Sequence, residues 1–448
     1  MMKRWQWSRS SSLSSRSPVE GAPSTFIAER HAARRGVAGR RAGRAPWREF
    51  SLLAVAGIAA AGLVLACSDS PTGPRPPDPQ LVADGKDIFR FDTFGDESFW
   101  TDTLRMHEVI QAAVDPTTAL SVGLKVDADA LPPDVVAGIQ SGAISLTDPA
   151  TTVALLKLNA VVGLKGTVEN VNGHDTLTSV GITCALCHST VDNSFAPGIG
   201  KRLDGWPNRD LNPGAIIALS PAITDAQKAV FTSWGPGKYD PRFNFDGQNG
   251  PQVIPPAYGL LGLHSITSTG DGDSIAYWNR YVGVTQMHGH GTFSDPRIGV
   301  SVNNTPPDLV TAKLPALQAY QLSLAAPAPP MGSFDAAAAA RGKAVFEGAG
   351  KCSTCHFGSL LTDGNLRLHD PSDVVSEPEP NGAPSYASRS ATGKYRTAPL
   401  HGVWQHPPYF HNGIAPTLAD VVELYNTRKG LGLTDQQKAD LVEYLKSL

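Results

Sequence analysis

The sequence predicts a mainly α-helical protein with extensive irregular loops and one small β-hairpin, arranged in two units. Three observations carry this. Apolar residues recur at helical spacing after residue 334, whereas prolines and tryptophans interrupt residues 198–258. Two stretches rich in Val, Leu and Thr flank Asn172-Gly173, a hairpin signal. A run of Ala and Pro at 325–330 then divides the chain.

The elements follow in chain order. Arginines at 34, 35, 40, 41, 44 and 48 precede an apolar run from Leu52 to Ala66 that ends at Cys67. A basic segment, a short apolar core and a small residue before cysteine form an export signal, too short for a spanning helix of about twenty residues. Leu63-Val64-Leu65-Ala66-Cys67 resembles a bacterial lipobox, which implies cleavage at 66 and a lipid on Cys67. Residues 1–66 are therefore signal and extension, and residues 67–83 a Pro-rich tether holding the body off a membrane. The first unit spans 84–330. Its hairpin strands lie near 160–169 and 175–183, a helix runs from about Thr224 to Trp234, and few other regular elements are expected. The second unit, 331–448, contains a helix over 334–346 and another capped by Thr417. The last opens on a Thr434–Gln437 capping box.

The chemistry is concentrated in Cys184-Ala-Leu-Cys187-His188 and Cys352-Ser-Thr-Cys355-His356. Thiols three positions apart can each add to one vinyl group of a single haem, and the next histidine then binds the iron. A zinc site or a dithiol motif is the alternative, but neither requires a histidine after both pairs. Zinc pairs also lie closer together than the 164 positions from His188 to Cys352. The sequence thus implies two haem c groups, ligated by His188 and His356. Such haems are attached outside the cytoplasm, in agreement with the export signal. Without residues 1–66, which hold eleven Lys and Arg against three Glu, the formal charge moves from −3 to about −11. Nucleic acid is thereby excluded as a partner, and a redox protein with a basic face fits.

A helix, a haem motif, a loop and an apolar last helix resemble a class I cytochrome c domain. More specifically, Arg341-Gly342-Lys343-Ala344-Val345-Phe346, Thr397-Ala398-Pro399-Leu400, Pro408-Tyr409-Phe410-His411-Asn412-Gly413 and Thr417-Leu418 resemble the C-terminal domain of bacterial dihaem cytochrome c peroxidases. Their relatives include the dihaem methylamine-utilisation and rubber-oxygenase enzymes. The resemblance covers about 335–448 and implies that 408–413 lies over the second haem, with His411 as candidate distal ligand. For the first haem, His290, His264 and Met287 are the candidates, and Arg280 or Arg202 would pair with propionates. The expected function is electron transfer between redox partners. The alternatives are a peroxidase or oxygenase acting at one haem, and an electron-transfer lipoprotein subunit of a larger oxidoreductase.

Overall fold

Proline starts more of this fold than it interrupts. The computed structural model describes residues 75–448 apart from 244, 245, 273 and 365. The export signal, Cys67 and the first part of the tether lie outside the described residues. Helix α1 (Pro79–Phe91) opens behind Asp78, whose carboxylate accepts from the Gln80 and Leu81 amides. After α2 (Met106–Ala113), Asp115 caps α3 (Pro116–Ser121) in the same way; α4 (Pro133–Ser141) begins at Pro133, and Asp148 caps α5 (Pro149–Lys157). A first-turn proline lacks only an N–H that has no helical partner, and the aspartate satisfies its neighbours. Two expectations are corrected here. The first unit is richer in helix than expected, and residues 79–83 of the supposed tether are the first turns of α1.

The hairpin pairs Leu164–Val171 with His174–Ile182 around Asn172 and Gly173, both at positive φ. It leads into α6 (Ala185–His188), the single turn carrying the first motif. Helix α7 (Pro213–Ala218) is followed by α8 (Asp225–Thr232), whose Thr224–Gln227 capping box forms as the spacing predicts. Helices α9 (Ile275–Tyr281) and α10 (Leu314–Ser323) end the first part. The second contains α11 (Ala336–Glu347), α12 (Leu418–Lys429) and α13 (Asp435–Lys446), with the predicted Thr417 and Thr434 caps in place. The strands form only two-stranded ribbons, so helices dominate.

Each part closes by crossing its first helix with its last, and the two crossings are built alike. A Cβ on Gly85 of α1 would collide with the Ala316 carbonyl and crowd Tyr320; one on Gly342 of α11 would collide with the Asp440 carbonyl and crowd Tyr444. Phe89 meets Tyr320 edge-on at 5.4 Å, and Phe346 meets Tyr444 edge-on at 5.1 Å. The sequences agree: Gly85-Lys86-Asp87-Ile88-Phe89 matches Gly342-Lys343-Ala344-Val345-Phe346, and Leu317 and Tyr320 match Leu441 and Tyr444. The fold therefore repeats one device around each motif. In the first copy, α2 to α5 and the hairpin are inserted between the crossing helix and the cysteines. Replacing Gly342 by Ala is expected to cost about 1–3 kcal/mol of stability by forcing the helices apart. Urea unfolding read by far-UV circular dichroism checks this; an unchanged midpoint would contradict the close crossing.

The described residues form one compact unit. Arg389 joins the two parts, meeting the buried Asp240 at 3.0 Å and Asp246 at 2.7 Å, and its carbonyl accepts from Arg242, which pairs with Asp271 at 2.7 Å within the first part. No helix among the described residues is long and apolar enough to cross a membrane.

Candidate haem sites

Both motifs fold as a single helical turn. The His188 amide donates to the Cys184 carbonyl at 3.3 Å, and the His356 amide donates to the Cys352 carbonyl at 2.9 Å. The turn brings each thiol pair to its histidine. The histidines are then held alike: His188 Nδ1 lies 3.0 Å from the Pro255 carbonyl, and His356 Nδ1 lies 3.0 Å from the Leu361 carbonyl. A carbonyl can only accept, so the proton sits on Nδ1 and the Nε2 lone pair remains for a metal.

The surroundings fit a haem. Burial pushes His188 down to about 4 and lowers His356, so both imidazoles are neutral, yet both keep accessible surface. Cys184 and Cys187, pushed up to about 12 by burial, and Cys352, pushed up to about 11, are half-buried in the same manner. The four cysteines are unpaired. Among the described residues, no group of metal-ligating atoms joins one pair to the other.

Anionic propionates need cationic partners, and two half-buried arginines have no carboxylate. Arg209, pushed down to about 9 by burial, donates to the Pro408 carbonyl at 3.1 Å, and its Nε has no partner. Arg396, pushed down to about 10, donates only to the carbonyls of Thr267, Thr397 and Ile266. Such guanidiniums are the natural complement of a carboxylate ligand. The arginines expected for this role are Arg202 and Arg280. Arg202 pairs with Asp204 at 3.2 Å, and Arg280 lines an open depression with Tyr277 and Asn303.

The distal candidates are dispersed. His411 Nε2 lies 2.7 Å from Glu379 Oε1, its Nδ1 lies 3.3 Å from Ser376 Oγ, and its ring stacks on Tyr395. The preceding Phe410 instead joins the apolar cluster that contains Cys352 and packs on Tyr425 at 6.0 Å. Met287 is buried in an apolar cluster with Val284 and Phe293, and its carbonyl accepts from the Trp100 indole. His290 Nε2 approaches Ser98 Oγ at 3.4 Å, whereas its Nδ1 is buried without a partner. His264 is exposed. A search confined to His and Met overlooks Tyr425, whose phenol is raised by burial and then by Cys352 and Cys355 beside it. His406, absent from the distal candidates, is pushed down to about 3 by burial and by neighbouring Arg209.

The profile of a family described as RoxA-like, cytochrome c-like matches residues 393–430, the stretch that includes Phe410 and Tyr425. The C-terminal segment is a cytochrome c-like domain. Curated relatives of this chain include the cytochrome-c peroxidase IdrP1 of Denitromonas iodatirespirans, 32% identical over 25% of this chain and 40% of that protein. Another is the cytochrome-c peroxidase IdrP2 of Pseudomonas sp. (strain SCT), 29% identical over 25% of this chain and 39% of its own. The chain thus spans about two fifths of the length of these relatives. Among solved structures, the diheme peroxidase BthA from Burkholderia thailandensis E264 is 17% identical, covers 84% of this chain and 86% of its own, and has a TM-score of 0.35. A MauG-like protein associated with microbial copper homeostasis is 20% identical, covers 46% and 75%, and has a TM-score of 0.32.

Proposed function

We propose that this cytochrome is an exported dihaem peroxidase. Electrons arrive singly from a redox partner protein, and two of them with two protons convert one hydrogen peroxide to two waters. The observation that carries the reading is the duplication: each helix crossing has its own cysteine pair and its own carbonyl-held histidine. The similarity of the C-terminal part to cytochrome-c peroxidases supports the chemistry. Bound haem would supply an iron that stores one electron and can activate peroxide.

The chain's own residues do the rest. Cys184, Cys187, Cys352 and Cys355 anchor the haems, while Pro255 and Leu361 orient the ligating imidazoles. Arg209 and Arg396 neutralise propionates, and Phe410 with Tyr425 shields the second site from water. Simple electron transfer between partners is the coarser form of the same activity. A lipid on Cys67, an extracytoplasmic location and a partner with a basic face complete the proposal.

Stopped-flow oxidation of a ferrocytochrome donor by peroxide, with purified holoprotein, tests it. Turnover is expected; its absence in protein that still accepts electrons leaves only a carrier. His411→Ala is expected to leave the visible bands of the second haem in place, since Glu379 and Ser376 already hold that ring, whereas Tyr425→Phe shifts them. The opposite pattern would return His411 to the ligand position.

A further inference from the structure

The loop that follows the second motif returns to it. The Thr362 amide donates to the Phe357 carbonyl at 3.0 Å, and the Leu366 amide donates to the Asp363 carbonyl at 2.7 Å. The returning chain lays Arg367 on the attachment turn: its Nη2 donates to the Thr354 carbonyl at 2.8 Å and lies 3.4 Å from Cys355 Sγ. Its Nε donates to Asp363 Oδ2 at 2.7 Å. Asp363 is fixed in turn. Its side chain is 1% exposed, whereas that of Arg367 is 53% exposed. His369 Nε2 lies 3.1 Å from Asp363 Oδ2 and 2.9 Å from Thr397 Oγ1. Burial would raise the Asp363 carboxyl, but donation from Thr397 and Arg367 holds it below the usual range. At the first motif, the charges acting on Cys184 are instead the carboxylates of Asp92 and Asp96.

With Cys355 bonded to porphyrin, the same contact sets a permanent positive charge beside the thioether. Reducing the iron adds an electron, so a neighbouring cation favours the ferrous state and a neighbouring anion the ferric state. We propose that Arg367 is a positioning residue of the second haem and sets its potential through Cys355. Asp363 is the buried anchor that keeps the guanidinium in place. Arginine suits the position because its planar fork reaches the carboxylate, the Thr354 carbonyl and the sulfur at once. The inference rests on haem at the second motif and adds a residue to the electron-transfer part of the proposed function. It does not depend on peroxide as the oxidant.

Spectroelectrochemical titration of the holoprotein in low salt, comparing wild type with variants at 367, tests this. In Arg367→Met one of the two midpoints should fall while the other stays. At a fixed ambient potential, the ferrous-to-ferric ratio of that haem should drop about three- to tenfold, tenfold being about 59 mV for one electron. Arg367→Lys keeps the charge and should restore most of the difference, whereas Arg367→Glu should lower the same midpoint further. High salt should shrink the Arg367→Met shift, because half of that side chain faces solvent. Unmoved midpoints in Arg367→Met overturn the proposal. So does a shift in Arg367→Lys as large as in Arg367→Met, which would mark a purely structural role. Peptide mass separates this from the underlying reading: a wild-type chain with no haem on Cys352 and Cys355 defeats both, and a chain that has it but keeps its midpoints defeats the proposal alone.

Discussion

Replacing Cys352 and Cys355 by serine is expected to lower the covalent haem content from two per chain to one, and the Cys184, Cys187 pair is expected to do the same. Thioether anchoring needs both thiols of a pair at helical spacing, and each motif provides its own in a separate crossing of helices. Neither site lends a cysteine to the other. The pyridine haemochrome of acid-acetone-washed protein counts the result, with peptide mass as a check. A double variant in either motif that keeps two haems would defeat the assignment, and so would a wild-type chain carrying none. Because imidazole ligation is separate from anchoring, His356→Ala should keep haem on the cysteines yet change its spin state.

Arg389→Met is expected to destabilise the folded protein by about 3–5 kcal/mol, the cost of leaving a buried charge without its partner. The Arg389 side chain is 2% exposed and Asp240 is fully buried, so the stranded carboxylate has no water to turn to. Asp240 would keep only the amides of Arg242 and Gly250 as donors. The surface pair Lys343–Glu347 is the control: both side chains are more than half exposed, and Lys343→Met should leave the unfolding midpoint essentially unchanged. Chemical denaturation of holoprotein, followed by far-UV circular dichroism, compares the two. Equal, small effects would mean that the ion pairs joining the two parts do not hold them together.

Local chemistry made much of the fold legible. The capping boxes at Thr224 and Thr434, the Thr417 cap and the Asn172-Gly173 turn fold where spacing places them, because each is settled by a few adjacent residues. Prolines misled, since the same residue breaks a helix from inside and begins one after aspartate; Asp78-Pro79, Asp115-Pro116 and Asp148-Pro149 were the available signal. The first copy of the helix crossing was legible too, in Gly85-Lys86 and Ile88-Phe89. The long insertion before Cys184 hides it from a search that expects the cysteines to follow at once. At the sites, the anchoring cysteines and their histidines were readable because their spacing is itself the chemistry. Arg209, Arg396 and His406 were not, because their significance is a missing carboxylate or an unpaired nitrogen, which only tertiary neighbours reveal.

The carbonyl that orients His188 belongs to Pro255, two residues past Val253, whose amide donates to the backbone of His411 at 2.8 Å. The carbonyl that fixes the first imidazole is thus braced through the backbone of the C-terminal part, so loosening that part is expected to free a histidine some two hundred residues earlier in the chain.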